Sequence, residues 1–125
     1  MGAANVTLYA VWTINNYTVT FNGNGGTGQT PTTKSVTYNT AVGTLPTNPT
    51  QAGYTFNGWF TATTAGTQIT TATIVTANVT WYAQWTANNY TITFNGNTNT
   101  SGTMANKTMA YASSVNLTAN TFAKT

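Results

Sequence analysis

Hydrophobic and polar residues alternate in several short stretches of the chain. Between Val6 and Thr13 every second position is apolar on one face, with Val6, Leu8, Ala10 and Trp12, and the opposite face carries Thr7, Tyr9 and Val11. A period of two in residues with high β-propensity is typical of a half-buried strand. Alternation and β-forming residues predict a strand there and four more, at Tyr17–Phe21, Ser35–Tyr38, Gly53–Thr61 and Val79–Thr86.

The connections between these strands carry turn residues. The glycine-rich stretch Asn22–Gly28 can supply positive φ angles, and it predicts a hairpin between the strands on either side. The stretch Thr40–Gln51 is less regular. Its apolar residues predict one short helical turn over Ala41–Leu45, which Pro46 would end. In the loop after Thr61, Ile69, Ile74 and Val75 are the expected apolar anchors.

A long stretch of the chain occurs twice. NVTLYAVWTINNYTVTFNGN at residues 5–24 returns as NVTWYAQWTANNYTITFNGN at residues 78–97, an offset of 73 positions. The same offset pairs Lys34 with Lys107 and Tyr38 with Tyr111. An internal repeat of this period indicates a tandem array. We therefore expect residues 1–14 to be the closing strand of a preceding repeat, residues 15–86 a complete repeat module, and residues 87–125 the first half of a following repeat.

Aromatic residues are the best candidates for the core. About 70 residues lie near the lower limit for an independent fold without disulfides, but each buried aromatic side chain removes about 150–250 Å² from water. Seven residues are expected to form this core: Tyr17, Phe21, Tyr54, Phe56, Trp59, Trp81 and Trp85. The alternative is that some of them form an exposed aromatic strip that binds a ligand.

Charge is almost absent. The 125 residues include three lysines and no Asp, Glu, His, Arg or Cys. Acid–base catalysis and metal binding need those missing side chains, so we expect no enzyme, no cofactor and no metal site. Three scattered lysines make no nucleic-acid footprint, and no apolar run reaches the roughly 18 residues of a membrane span. Lys34 and Lys107 are expected to be solvated strand charges. The missing acids indicate either a neutral Thr/Asn-rich surface protein or Asp positions read as Asn.

Asn-x-Ser/Thr sequons are frequent, although many arise by chance in a chain so rich in Asn and Thr. They make seven asparagines candidate glycosylation sites: Asn5, Asn16, Asn78, Asn89, Asn99, Asn106 and Asn116.

Three blocks of the sequence, Tyr17–Gly28, Leu45–Thr61 and Thr76–Thr86, closely resemble the Listeria–Bacteroides repeat, a family related to the B-repeat of internalin B. The resemblance implies a mostly β fold (α+β at most), a small β-grasp-like module with little or no helix, arranged in tandem in secreted and cell-surface bacterial proteins. The family usually has acids where this chain has Asn22 and Asn57, so the resemblance does not extend to charge-based ligand contacts.

These observations predict a non-catalytic, extracellular or cell-surface module that builds a stalk or filament. Its expected partners are neighbouring repeats of the same protein, including self-assembly into filaments when an unpaired strand such as Val6–Thr13 adds to another unit. The alternative is an adhesin module that binds a host glycan or protein through exposed aromatic residues.

Overall fold

The computed structural model describes residue 2 and residues 4–125. Those residues contain no helix and eight strands: β1 (Asn16–Asn22), β2 (Thr33–Thr37), β3 (Thr40–Ala41), β4 (Tyr54–Phe60), β5 (Ile74–Val75), β6 (Val79–Ala87), β7 (Asn89–Ile92) and β8 (Lys107–Ala110). The predicted mostly β class is confirmed.

Four strands form the main sheet, in the order β2-β1-β6-β4. β1 and β2 pair antiparallel across the predicted hairpin, whereas β1 and β6 lie parallel in the centre. β4 pairs antiparallel with β6, and its register shifts between Phe56 and Gly58. The sheet brings together strands from the two ends of one repeat, which is consistent with the β-grasp-like module that the resemblance implies.

The core lies on one face of this sheet. Phe21 of β1 packs edge-on against Trp59 of β4 and Trp81 of β6, with ring centroids 5.2 and 5.8 Å apart. Such pairs contribute about 0.5–1.5 kcal/mol beyond the area that they bury. Small aliphatic side chains fill the space around the rings: Val19, Val36, Val42, Ile69, Val75 and Ala83.

The strand predicted at Val6–Thr13 does not form within this chain. Leu8 and Trp12 are 90% and 89% exposed. The same alternation produces β6 because β1 and β4 lie on its two sides and accept its backbone hydrogen bonds. No described strand lies beside residues 6–13, so the pattern alone cannot form a strand there.

The helical turn predicted at Ala41–Leu45 is wrong. β3 pairs instead with β5, and the Val42 N–H donates to the Thr73 carbonyl at 2.8 Å. This extended backbone satisfies the hydrogen-bonding groups of the segment and places Val42 in the core at 2% exposure. Of the apolar anchors expected after Thr61, Ile69 and Val75 are buried, whereas Ile74 is exposed.

The hairpin of β1 and β2 occurs a second time as β7 and β8. Asn16 pairs with Thr37 in the first hairpin, and Asn89 pairs with Ala110 in the second. Each residue of the second pair lies 73 positions after its counterpart in the first, so the repeat in the sequence is also a repeat in strand register.

Candidate functional site: the junction between repeats

A single residue separates the last strand of the complete repeat from the first strand of the next section. β6 ends at Ala87, β7 begins at Asn89, and only Asn88 lies between them. The short connection leaves little conformational freedom between the two sheets. The hydrogen bonds of Asn88 therefore set how one repeat follows the other.

Asn88 makes three hydrogen bonds to residues outside its own connection. Its N–H donates to the Gly53 carbonyl at 2.8 Å, and its carbonyl accepts the Tyr111 N–H at 2.7 Å. Its side-chain Oδ1 accepts the Thr55 hydroxyl at 2.6 Å. Two of these partners belong to β4 or the residue before it, and the third follows β8. Asn88 thus bonds to both repeats at once.

Aromatic packing covers the same junction. The Tyr111 ring lies edge-on to Tyr54, with centroids 5.4 Å apart, and 6.3 Å from the Tyr90 ring. A Cβ placed on Gly53 would lie 2.3 Å from the Tyr111 ring, and the Gly53 φ is +80°. Only glycine fits both the close approach and this backbone conformation.

The other end of the complete repeat presents a matching arrangement. The Tyr38 N–H donates to the Asn15 carbonyl at 2.7 Å, and Tyr38 packs edge-on against Tyr17 at 6.0 Å. These residues lie 73 positions before Tyr111, Asn88 and Tyr90. The first hairpin thus has the same Tyr-to-Asn hydrogen bond as the second, in which Tyr111 packs on Gly53 and Tyr54.

The seven predicted core residues differ in how deeply they are buried. Phe21, Trp59 and Trp81 are buried, and three more pack partly buried against them: Tyr17, Phe56 and Trp85. Tyr54 differs from the prediction, because it is half-buried, lies outside the core cluster and packs on Tyr111.

Sequence reasoning missed Asn88 and Tyr111 as junction residues. The 73-residue offset already pairs Tyr38 with Tyr111 and Asn15 with Asn88, and this recurrence outside the apolar pattern is the signal that could have found them.

The sequon asparagines lie at the surface. Asn99 is half-buried, and the other six are exposed. Two of them accept hydrogen bonds through Oδ1, Asn16 from the Thr37 hydroxyl and Asn78 from the Thr18 N–H. Glycans attach to the amide nitrogen, which these two bonds do not use. The Asn99 Nδ2, in contrast, donates to the carbonyls of Ser101 at 2.7 Å and Gly102 at 2.9 Å, so Asn99 is a less accessible candidate than the six exposed ones.

Lys34 has a structural partner. Its Nζ donates to the carbonyls of Val42 at 2.5 Å and Thr44 at 3.0 Å, and Lys107 Nζ donates to the Asn116 carbonyl. The expectation that both are simply solvated charges is therefore wrong. Because Val42 is a core residue, Lys34 fixes the connection that closes the core.

Within residue 2 and residues 4–125, no three His, Cys, Asp or Glu side chains gather where they could hold a metal ion. No helix of that part of the chain is both long and apolar enough to cross a membrane.

Known proteins with similar sequences match this repeat. Residues 17–84, more than half of the chain, match the family described as the Listeria-Bacteroides repeat domain. Internalin H of Listeria monocytogenes is 44% identical over 90 residues, which cover 70% of this chain and 16% of that protein. A protein of Evansella cellulosilytica named as a Gly-rich membrane protein is 40% identical over 104 residues, 78% of this chain and 12% of that protein.

A second Evansella cellulosilytica protein, named as a membrane protein, is 37% identical over 97 residues, 76% of this chain and 14% of that protein. The chain thus spans less than a fifth of the length of these relatives. No solved structure matches it significantly.

Proposed function

Because this chain belongs to the Listeria–Bacteroides repeat family, we propose that it is a non-catalytic stalk module of a secreted or cell-surface bacterial protein. Its role is to extend another part of that protein at a fixed distance. The observation that carries this proposal is the one-residue junction at Asn88, whose backbone and side chain bond to both repeats.

A stalk needs joints that do not bend freely. Flexible linkers of several Gly and Ser residues leave neighbouring modules free to reorient. Here β6 continues into β7 through Asn88 alone, and Tyr111 of the later section packs on Gly53 and Tyr54 of the earlier one. Because the two contacting surfaces differ, the contact is head to tail. Such a contact extends a chain of repeats rather than closing a pair.

The relatives support a location at the cell surface. The names of two relatives place them in membranes, and the third is an internalin. The absence of cysteine and the abundance of Asn and Thr suit a neutral surface exposed outside the cell.

A pair of spin labels tests the stiffness of the junction. The chain has no cysteine, so Thr64→Cys in the exposed loop after β4 and Ser114→Cys after β8 give two unique attachment points. We expect a narrow distribution of label distances by electron–electron double resonance, and a broad one when Tyr111→Ala removes the aromatic contact. A broad distribution in the chain that retains Tyr111 would overturn the proposal.

The second candidate function is an adhesin that binds a host glycan or protein through exposed aromatic side chains. Tyr38, which is 48% exposed, is the residue of the complete repeat that best fits this role. If the chain binds host cells and Tyr38→Ala removes the binding without changing the label distances, adhesion is the better description.

A further inference from the structure

We propose that the segment Asn5–Ala10 of one chain adds as a parallel strand to the open edge of β7 in a second copy of this chain. The proposal goes beyond the stalk role, since it describes contact between separate chains. It rests on an unpaired strand edge, a cavity beside Phe94, and a segment whose sequence differs from residues 78–83 only at Leu8.

The edge of β7 away from β8 has no strand partner among the described residues. Antiparallel pairing uses the backbone groups of alternate residues. The Tyr111 N–H bonds to the Asn88 carbonyl. The backbone N–H and C=O groups of Tyr90 and Ile92 therefore point toward β8, and those of Thr91 and Thr93 point toward the open edge. In the complete repeat, the edge equivalent to this one holds β6.

A cavity lies where the complete repeat has its closing aromatic residues. Phe94 is the counterpart of Phe21, whose ring packs between Trp59 and Trp81. Beside Phe94 there is instead a cavity of about 440 Å³, lined also by Met104, Leu117 and Phe122 among others. Asn95, Thr118 and Asn120 also line it. An apolar side chain entering from the β7 edge would remove the apolar part of the lining from water.

Residues 5–13 carry the pattern that this edge accepts. NVTLYAVWT matches NVTWYAQWT at residues 78–86, with Leu8 in place of Trp81 and Val11 in place of Gln84. Val6 and Leu8 are 79% and 90% exposed, although their counterparts in β6 pack against the core. The segment is therefore an apolar strand sequence that has no partner among the described residues of its own chain.

The complete repeat also specifies the register. β1 and β6 align Val19 with Val79, Thr20 with Thr80 and Phe21 with Trp81. Shifted by 73 positions, the same register places Val6, Thr7 and Leu8 of one copy opposite Ile92, Thr93 and Phe94 of the other. The Thr18 N–H donates to the Asn78 side-chain Oδ1. In the same register the Thr91 N–H donates to the Asn5 Oδ1 of the added strand.

One position limits how much of the segment can dock. Gly26 leaves room for the Trp85 ring, because a Cβ there would lie 2.2 Å from it. The counterpart of Gly26 is Asn99 in a turn with the same hydrogen bonds, and the counterpart of Trp85 is Trp12. The Asn99 side chain thus excludes Trp12 from the matching place, which is why the docked strand ends near Ala10.

Engineered cysteines test the register directly. Equal amounts of Thr7→Cys and Thr93→Cys chains are mixed under mild oxidation, and the cross-linked products are identified by mass spectrometry. Directly opposed residues lie within disulfide range, whereas residues two positions out of register do not. We expect Thr7→Cys to couple to Thr93→Cys and not to the control Thr91→Cys. If Thr7→Cys couples equally to Thr91→Cys and to Thr93→Cys, the proposal is overturned.

Sedimentation measures the association itself. Leu8 is almost fully exposed, so Leu8→Lys leaves the fold intact, and we expect it to weaken association by about tenfold or more because it removes the apolar anchor. Asn99→Gly removes the obstacle to Trp12 and is expected to strengthen association. A chain that stays monomeric at millimolar concentration, or an association that Leu8→Lys leaves unchanged, would overturn the proposal. The label distances within monomeric Leu8→Lys chains test the stalk role separately.

Discussion

Replacing Gly53 by alanine should damage the junction more than the repeat that contains it. Gly53 has a φ of +80° and Gly28 a φ of +93°, so alanine is strained at both positions, by about 1–2 kcal/mol. The surroundings differ. Nothing lies within 4 Å of a Cβ at Gly28, whereas a Cβ at Gly53 would overlap the Tyr111 ring. Gly28→Ala is therefore a matched control that carries the backbone strain alone.

Gly53→Ala also lowers the stability of the junction, because it disrupts the contacts that hold Tyr111. Moving the ring separates an aromatic pair worth about 0.5–1.5 kcal/mol. It also strains the hydrogen bonds from Tyr111 to Asn88 and from Asn88 to Gly53, each worth about 0.5–1.5 kcal/mol. The loss of all three contacts amounts to roughly 1.5–4.5 kcal/mol, which is enough to open the junction.

Two measurements separate these effects. Denaturant unfolding followed by tryptophan fluorescence should show similar destabilisation of the complete repeat, about 1–2 kcal/mol, in both variants. Hydrogen exchange should show the Asn88 and Tyr111 amides unprotected in Gly53→Ala and still protected in Gly28→Ala. If the Tyr111 amide is equally protected in the two variants, the close contact with Gly53 does not hold the junction.

Three further outcomes are expected. Trp59→Ala should destabilise the complete repeat by about 3–5 kcal/mol in denaturant unfolding, because Trp59 is 2% exposed. Trp12 is exposed, and a comparable effect of Trp12→Ala would contradict the assignment of the core. Lys34→Met should cost about 1 kcal/mol in thermal unfolding through the lost bonds to two carbonyls, and Lys124→Met, whose Nζ reaches only one hydroxyl at 3.3 Å, almost nothing. With no Asp, Glu or His, the folded and unfolded chains bind the same number of protons between about pH 5 and 7, so the free energy of unfolding should be flat there; a slope would indicate carboxylates.

The sequence predicts the main sheet well for a physical reason. β1, β4 and β6 have alternating or aromatic-rich patterns because one face of each packs on the core. Periodicity cannot tell whether a strand has neighbours, however. Residues 6–13 and β6 share one pattern, but only β6 lies between two strands.

The junction was harder to predict because its contacts are not periodic. Asn88 acts through backbone groups and one short side chain, whose partners come from two distant parts of the chain. The alternating aromatic positions of its strand predict Tyr54 in the core, yet its ring faces the next section. The two-residue pairing of β3 with β5 is too short to give any pattern in the sequence.

The most direct test of the stiff junction is ¹⁵N relaxation of the backbone amides at a concentration where the chain is monomeric. If Asn88 and Tyr111 hold the sections together, the amides of β7 and β8 report the same rotational correlation time as those of β1 and β6. A clearly shorter correlation time for β7 and β8, with the complete repeat tumbling on its own, would contradict the proposed stalk.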